Sequence, residues 1–147
     1  MDGIATRVFS FATPARPDQV WAALTRPGLT RRYLYGLAAE SDWRPGGGAS
    51  FVGASVSLVG DVLAAEEPGR LSYSVRAGDG QPDTYVTWEI MGDGSGSVVR
   101  LYVDEPGQPE VESAWVEVVS RLEATLASVF SDSGAPISGA DRDRSSS

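Results

Sequence analysis

The chain contains no cysteine and no histidine. The first absence removes disulfides, thiolate nucleophiles and cysteine metal sites, and it fits a reducing cytosol. The second removes the commonest general base, the commonest zinc ligand and any Ser-His-Asp triad. Few short enzymes work without either residue, so the sequence favours binding over catalysis and points to no catalytic residue, metal or cofactor. Positive charge is also scarce. Lys and Arg together number 12 against 20 Asp and Glu, for a net charge of −8 at pH 7. Such an acidic surface repels phosphate, so nucleic acid and anionic membranes are poor partners. No run approaches about 18 apolar residues, so no membrane span is expected. The start, MDGIATRVFSF, lacks the basic n-region and long apolar run of a signal peptide, which places the protein in the cytoplasm. The serines have no histidine partner and no nucleophile elbow, which argues against an acyl-enzyme. Gly46-Gly47-Gly48 lacks the Lys-Ser/Thr and the following helix of a phosphate loop, and reads as a tight turn.

What is present is organised around the last regular segment, Glu110 to Phe130. Its apolar residues Val111, Trp115, Val118, Leu122, Leu126 and Val129 recur at steps of three and four and fall on one stripe of a helix. Glu112, Glu117, Arg121 and Glu123 stand between them. A helix this long spans roughly 30 Å and needs a broad apolar partner. The strands before it are the candidate.

Those strands follow in order. Ile4 to Ala12 is rich in β-branched and aromatic residues. Ala15 to Leu24 reads as a short helix, with Pro17 and Asp18 suited to its first turn, and Leu29 to Tyr35 as a second. Extended segments are expected at Ser41 to Arg44, Ala49 to Val52, Val56 to Ala65, Arg70 to Ala77, Asp83 to Met91 and Ser97 to Glu105. Gly60, inside the fourth strand of the chain, suggests a bulge or bend. Short turns between consecutive strands imply antiparallel pairing, and a long helix laid over them gives an α+β domain over residues 1–130. Residues 131–147 carry one large apolar residue and are expected to be a disordered tail. There is no internal repeat and no signal of oligomeric state.

The order of elements is joined by local patterns. They are Thr13-Pro14 with Val20-Trp21-Ala22-Ala23-Leu24-Thr25-Arg26-Pro27, Trp43-Arg44-Pro45-Gly46-Gly47, and Gly60-Asp61-Val62-Leu63. Pro68-Gly69-Arg70-Leu71-Ser72-Tyr73, Val86-Thr87-Trp88-Glu89-Ile90, and Trp115 with Leu122 and Leu126 complete the set. Together they resemble the START-like, or SRPBCC, superfamily, and within it the branch similar to the activator of the heat-shock-protein-90 ATPase. The resemblance implies a helix-grip fold: a curved antiparallel sheet of about six to seven strands around the C-terminal helix, with an apolar cavity between them. Members of the wider superfamily bind lipids, sterols or polyketides, some act as aromatase/cyclases, and some sequester reactive natural products such as enediynes.

On that fold, Trp43, Phe51, Tyr73, Trp88, Tyr102 and Trp115 supply rings for a ligand cavity, with Val119 and Leu122 on the helix and Tyr33 and Tyr35 at its mouth. Tyr85 and Trp88 cannot face the same way on one strand, so not every ring of the sheet serves one cavity. Arg31 and Arg32 stand near the mouth, where an arginine can meet a ligand carboxylate. The acidic pairs Glu66/Glu67, Asp104/Glu105 and Glu110/Glu112 sit beside turns, as solvated charge does. Asp61 and Glu89 lie inside strands, where burial would raise a carboxyl pKa. The reading that results is a protein that binds a small hydrophobic or aromatic molecule, by way of sequestration or self-resistance. A polyketide cyclase-like cavity enzyme and a chaperone or regulatory interaction protein are the alternatives.

Overall fold

The structure, a computed structural model, describes residues 4–78, 82–106 and 114–130. Strand β1 (Ile4–Thr13) is followed by helices α1 (Pro17–Thr25) and α2 (Pro27–Tyr33). Six further strands are β2 (Ala38–Ser41), β3 (Gly48–Val52), β4 (Ser57–Glu66), β5 (Arg70–Val75), β6 (Thr84–Gly92) and β7 (Ser97–Pro106). Helix α3 (Ala114–Phe130) ends the described chain. The strands form one antiparallel sheet in the order β1-β7-β6-β5-β4-β3-β2, so only β1 makes a non-sequential pairing. This is the open α+β helix-grip architecture. No described helix is long and apolar enough to cross a membrane.

Period-two alternation decides which face is covered. In register across the sheet, Phe9, Leu101, Trp88 and Leu71 stand side by side, and so do Val103, Val86 and Tyr73. The β5–β7 members of both rows are buried, and Phe9 packs against them. Their neighbours in sequence point the other way, and Val8 and Tyr85 are exposed there. Trp88 is thus fully buried while Tyr85 is 43% exposed. On α3, Val118, Leu122 and Leu126 are buried on the core side, each worth about 1.5–3 kcal/mol. The helices close over the inner face, with α3 touching α1, α2 and β1, and α2 reaching β2 at the far edge.

Three details differ from the sequence reading. Val129, placed on the apolar stripe, is 37% exposed, and Thr125 is buried instead, because the stripe drifts around a straight helix toward its end. The second strand runs over Ala38–Ser41 rather than Ser41 to Arg44. Trp43 lies after it in the left-handed region (φ 55°), in a turn held by Ser41, whose Oγ accepts from the Trp43 N–H and donates to the Gly48 carbonyl. The β4 irregularity is a register shift between Val62 and Ala64 rather than at Gly60 itself. Gly60 has a different role: a Cβ there would overlap the Ser74 carbonyl oxygen, so only glycine lets β5 approach. The expected helix start at 110–113 and the expected tail at 131–147 lie outside the described residues.

Candidate functional site

The inner face of the sheet and α3 do not meet everywhere. Between them lies an apolar cavity of about 150 Å³. The sheet supplies Phe51, Leu58, Tyr73 and Val75, α3 supplies Trp115 and Val118, and the segment after α2 supplies Leu34, Tyr35 and Leu37. Thr30 fixes that last segment. Its hydroxyl accepts from the Ala39 N–H (2.8 Å) and donates to the Leu37 carbonyl (3.1 Å), tying α2 to β2. Tyr35 is held in the left-handed region (φ 54°), a conformation costing a bulky residue about 1–3 kcal/mol. Its ring is half exposed and lies under the Arg121 guanidinium, 4.9 Å from the ring centroid. Trp115 is fixed by its indole N–H, which donates to Glu105 (3.2 Å), and Glu105 in turn pairs with Arg7 (3.3 Å).

Behind the cavity the aromatic residues form a packed group. Phe51 and Tyr73 rings are 5.3 Å apart, Trp43 and Tyr73 6.0 Å, and Tyr33 meets Trp88 edge-on at 6.3 Å. The Trp88 indole N–H donates to the Tyr73 hydroxyl (3.2 Å), and the Tyr33 hydroxyl faces the Leu24 carbonyl (3.4 Å). Burial pushes the Tyr73 phenol up to about 12, with the Trp88 N–H acting against it. Burial, with the nearby Tyr73, pushes Tyr33 well above its ordinary value. Both phenols therefore stay protonated at neutral pH and do not serve as bases.

Of the residues expected at the site, Tyr35, Phe51, Tyr73 and Trp115 border the cavity. Tyr33 and Trp88 are buried behind it, and Trp43 packs on Tyr73. Leu122 is buried on α3 and Val119 packs partly buried against the core. Tyr102 stands between Val8 and Thr87 in register, on the opposite face of the sheet. Arg31 and Arg32 are exposed, and Arg32 donates to Ser128 Oγ (3.3 Å) in an open groove beside Arg121. Glu89 lies between Arg70 and Arg100 in register on the outer face, and Asp61 is largely exposed near Arg76. Among the described residues no acidic cluster could hold a metal ion.

Leu34, Leu37, Leu58, Val75 and Val118 were not expected at the site. Two carried a signal: Val75 shares a strand face with Tyr73, and Val118 a helix face with Trp115. A second recess of about 330 Å³ adjoins the cavity, sharing Leu58, Val75 and Trp115 with it and adding Arg76, Ala77, Pro82 and Thr84.

No curated protein matches the sequence. Among solved structures, CalU16 from Micromonospora echinospora is 26% identical, with a TM-score of 0.67 over 83% of this chain and 76% of that one. A Rhodobacter sphaeroides protein is 28% identical, with a TM-score of 0.63 over 84% and 93% of the two chains. ChR145 from Cytophaga hutchinsonii, 23% identical, shares the fold with a TM-score of 0.72 over 89% and 99%. The model of the family described as activator of Hsp90 ATPase homolog 1-like protein matches residues 14–127, which span α1 through β7 and most of α3 but not β1. The chain belongs to the activator of Hsp90 ATPase homolog 1-like family, within the START-like superfamily.

Proposed function

We propose that this protein binds a small hydrophobic or aromatic molecule in the cavity between α3 and the sheet, and that holding the molecule away from water is its role. The observation that carries this reading is the cavity itself. A space of about 150 Å³ walled by leucine, valine and aromatic side chains offers water almost no hydrogen-bond partner and suits an apolar guest. Filling it would restore the dispersion contacts its lining lacks. Binding is favoured over turnover because the titratable side chains on the described wall are Tyr35 and Tyr73, and the Tyr73 phenol, at about 12, holds its proton at neutral pH.

Thermal unfolding in the presence of fatty acids, sterols, flavonoids and polyketides tests the proposal, with tryptophan emission followed in parallel. A ligand at about 100 times its Kd stabilises by about 2.7 kcal/mol, which raises Tm by roughly 5–10 °C for a chain of this size. One chemical class should give a saturable rise with a change in emission, since Trp115 borders the cavity. Well-folded protein that responds to none of them overturns the reading.

A further inference from the structure

The recess beyond Trp115 differs from the inner cavity in one respect: Arg76 lines it. Arg76 follows directly on β5, whose Tyr73 and Val75 wall the inner space. Its backbone exchanges two hydrogen bonds with Val59 (2.9 and 2.8 Å), so its place on the sheet does not depend on its side chain. Its side chain is less than a third exposed. Its Nη1 reaches Asp83 at 3.4 Å and the largely exposed Asp61 at 3.8 Å. Both carboxylates address the same nitrogen. Among the described residues, the Nε–Nη2 edge has no acceptor, and that edge is the one that grips a carboxylate with two parallel hydrogen bonds.

The two spaces adjoin at Leu58, Val75 and Trp115, which line both. The inner one has the size known to admit a single benzene-like ring. Resting on the cavity reading above, we infer that the ligand is a small amphipathic carboxylic acid. Its apolar ring or short chain occupies the inner cavity, and its carboxylate lies in the outer recess on the Nε–Nη2 edge of Arg76. Asp83 and Asp61 hold the guanidinium in place from its other end. Trp115, anchored through Glu105, is the wall around which the ligand turns. Arg76 is thereby a specificity residue, selecting the acid over a neutral molecule of the same shape.

Isothermal titration with three probes tests this: toluene, phenylpropanol and phenylpropanoic acid, each against the native chain and the Arg76→Gln variant. The acid should bind the native chain at least about tenfold more tightly than the alcohol, the size of one charge-assisted hydrogen bond. The preference should vanish in Arg76→Gln, while toluene binds both proteins alike and reports that the cavity is intact. Equal affinities for acid and alcohol in the native chain overturn the inference and leave the cavity reading standing. A preference that survives Arg76→Gln overturns the assignment to Arg76. Failure of all three probes on folded native protein overturns the cavity reading, and this inference with it.

Discussion

Replacing Val118 with phenylalanine separates a cavity that exists to be filled from a packing imperfection. Val118 is buried on α3 and borders the cavity directly. At about 24 cal/mol per Å³, an empty space of about 150 Å³ forgoes about 3–4 kcal/mol of packing. The phenyl ring adds roughly four carbons, worth at most about 3 kcal/mol at about 0.8 kcal/mol per buried CH2. Overpacking against Phe51 and Tyr73 takes back about 1–3 kcal/mol. Val118→Phe should thus be between neutral and about 2 kcal/mol more stable than the native chain, where most buried substitutions destabilise. It should also weaken toluene binding by at least about tenfold, since the guest's space is occupied. Urea unfolding gives the first quantity and calorimetry the second. A loss of more than about 2 kcal/mol would mean that α3 and the sheet are already in full contact at this point. Unchanged toluene affinity would place the guest elsewhere.

Two further outcomes rest on other parts of the structure. Gly60→Ala drives a methyl group into the Ser74 carbonyl, and neither backbone can rotate away. It should cost about 3 kcal/mol and lower Tm by roughly 6–12 °C, read by calorimetry, whereas a neutral effect would show that β4 and β5 are not so close. The buried phenols set the alkaline limit. Tyr73 has a folded pKa of about 12 against an ordinary value of 10.0, and Tyr33 shifts the same way. Their stabilising effect is complete below pH 10 and is lost as pH rises through the folded values, because the unfolded chain ionises first. Tyr73 alone accounts for about 2–3 kcal/mol lost between pH 10 and 12. Tyr73→Phe should flatten that part of the stability curve, and an unchanged slope would contradict its burial.

Much of the fold was legible because it rests on local periodicity. The alternation of Leu71, Tyr73 and Val75, and of Val86, Trp88 and Ile90, marks strands with one apolar face, and the structure buries these six. The spacing of Trp115, Val118, Leu122 and Leu126 marks a helix. The second strand was less legible. Ala38 and Ala39 have little side chain with which to signal a strand, while the bulk of Trp43 drew attention to a residue in a left-handed turn. The site was legible only in part. Alternation separates Tyr85 from Trp88, but it does not say which buried ring borders empty space and which borders another ring. Tyr73 borders the cavity together with Leu34 and Leu37, whereas Trp88 lies behind it with the Tyr33 ring edge-on against it. Those placements depend on the path between α2 and β2, which the Thr30 hydrogen bonds set and no repeat in the sequence announces. Arg76 was likewise invisible as one arginine among twelve basic residues, until β5 placed it beside the recess.

The proposed guest lies between α3 and the inner face of the sheet. Methyl NMR during titration with the tightest-binding compound tests it most directly. Signals of Leu34, Leu37, Leu58, Val75 and Val118 should move together and saturate, while the exposed Val8 and Val52, off the cavity wall, stay in place. Movement confined to Val8 and Val52, with the cavity methyls still, would contradict it.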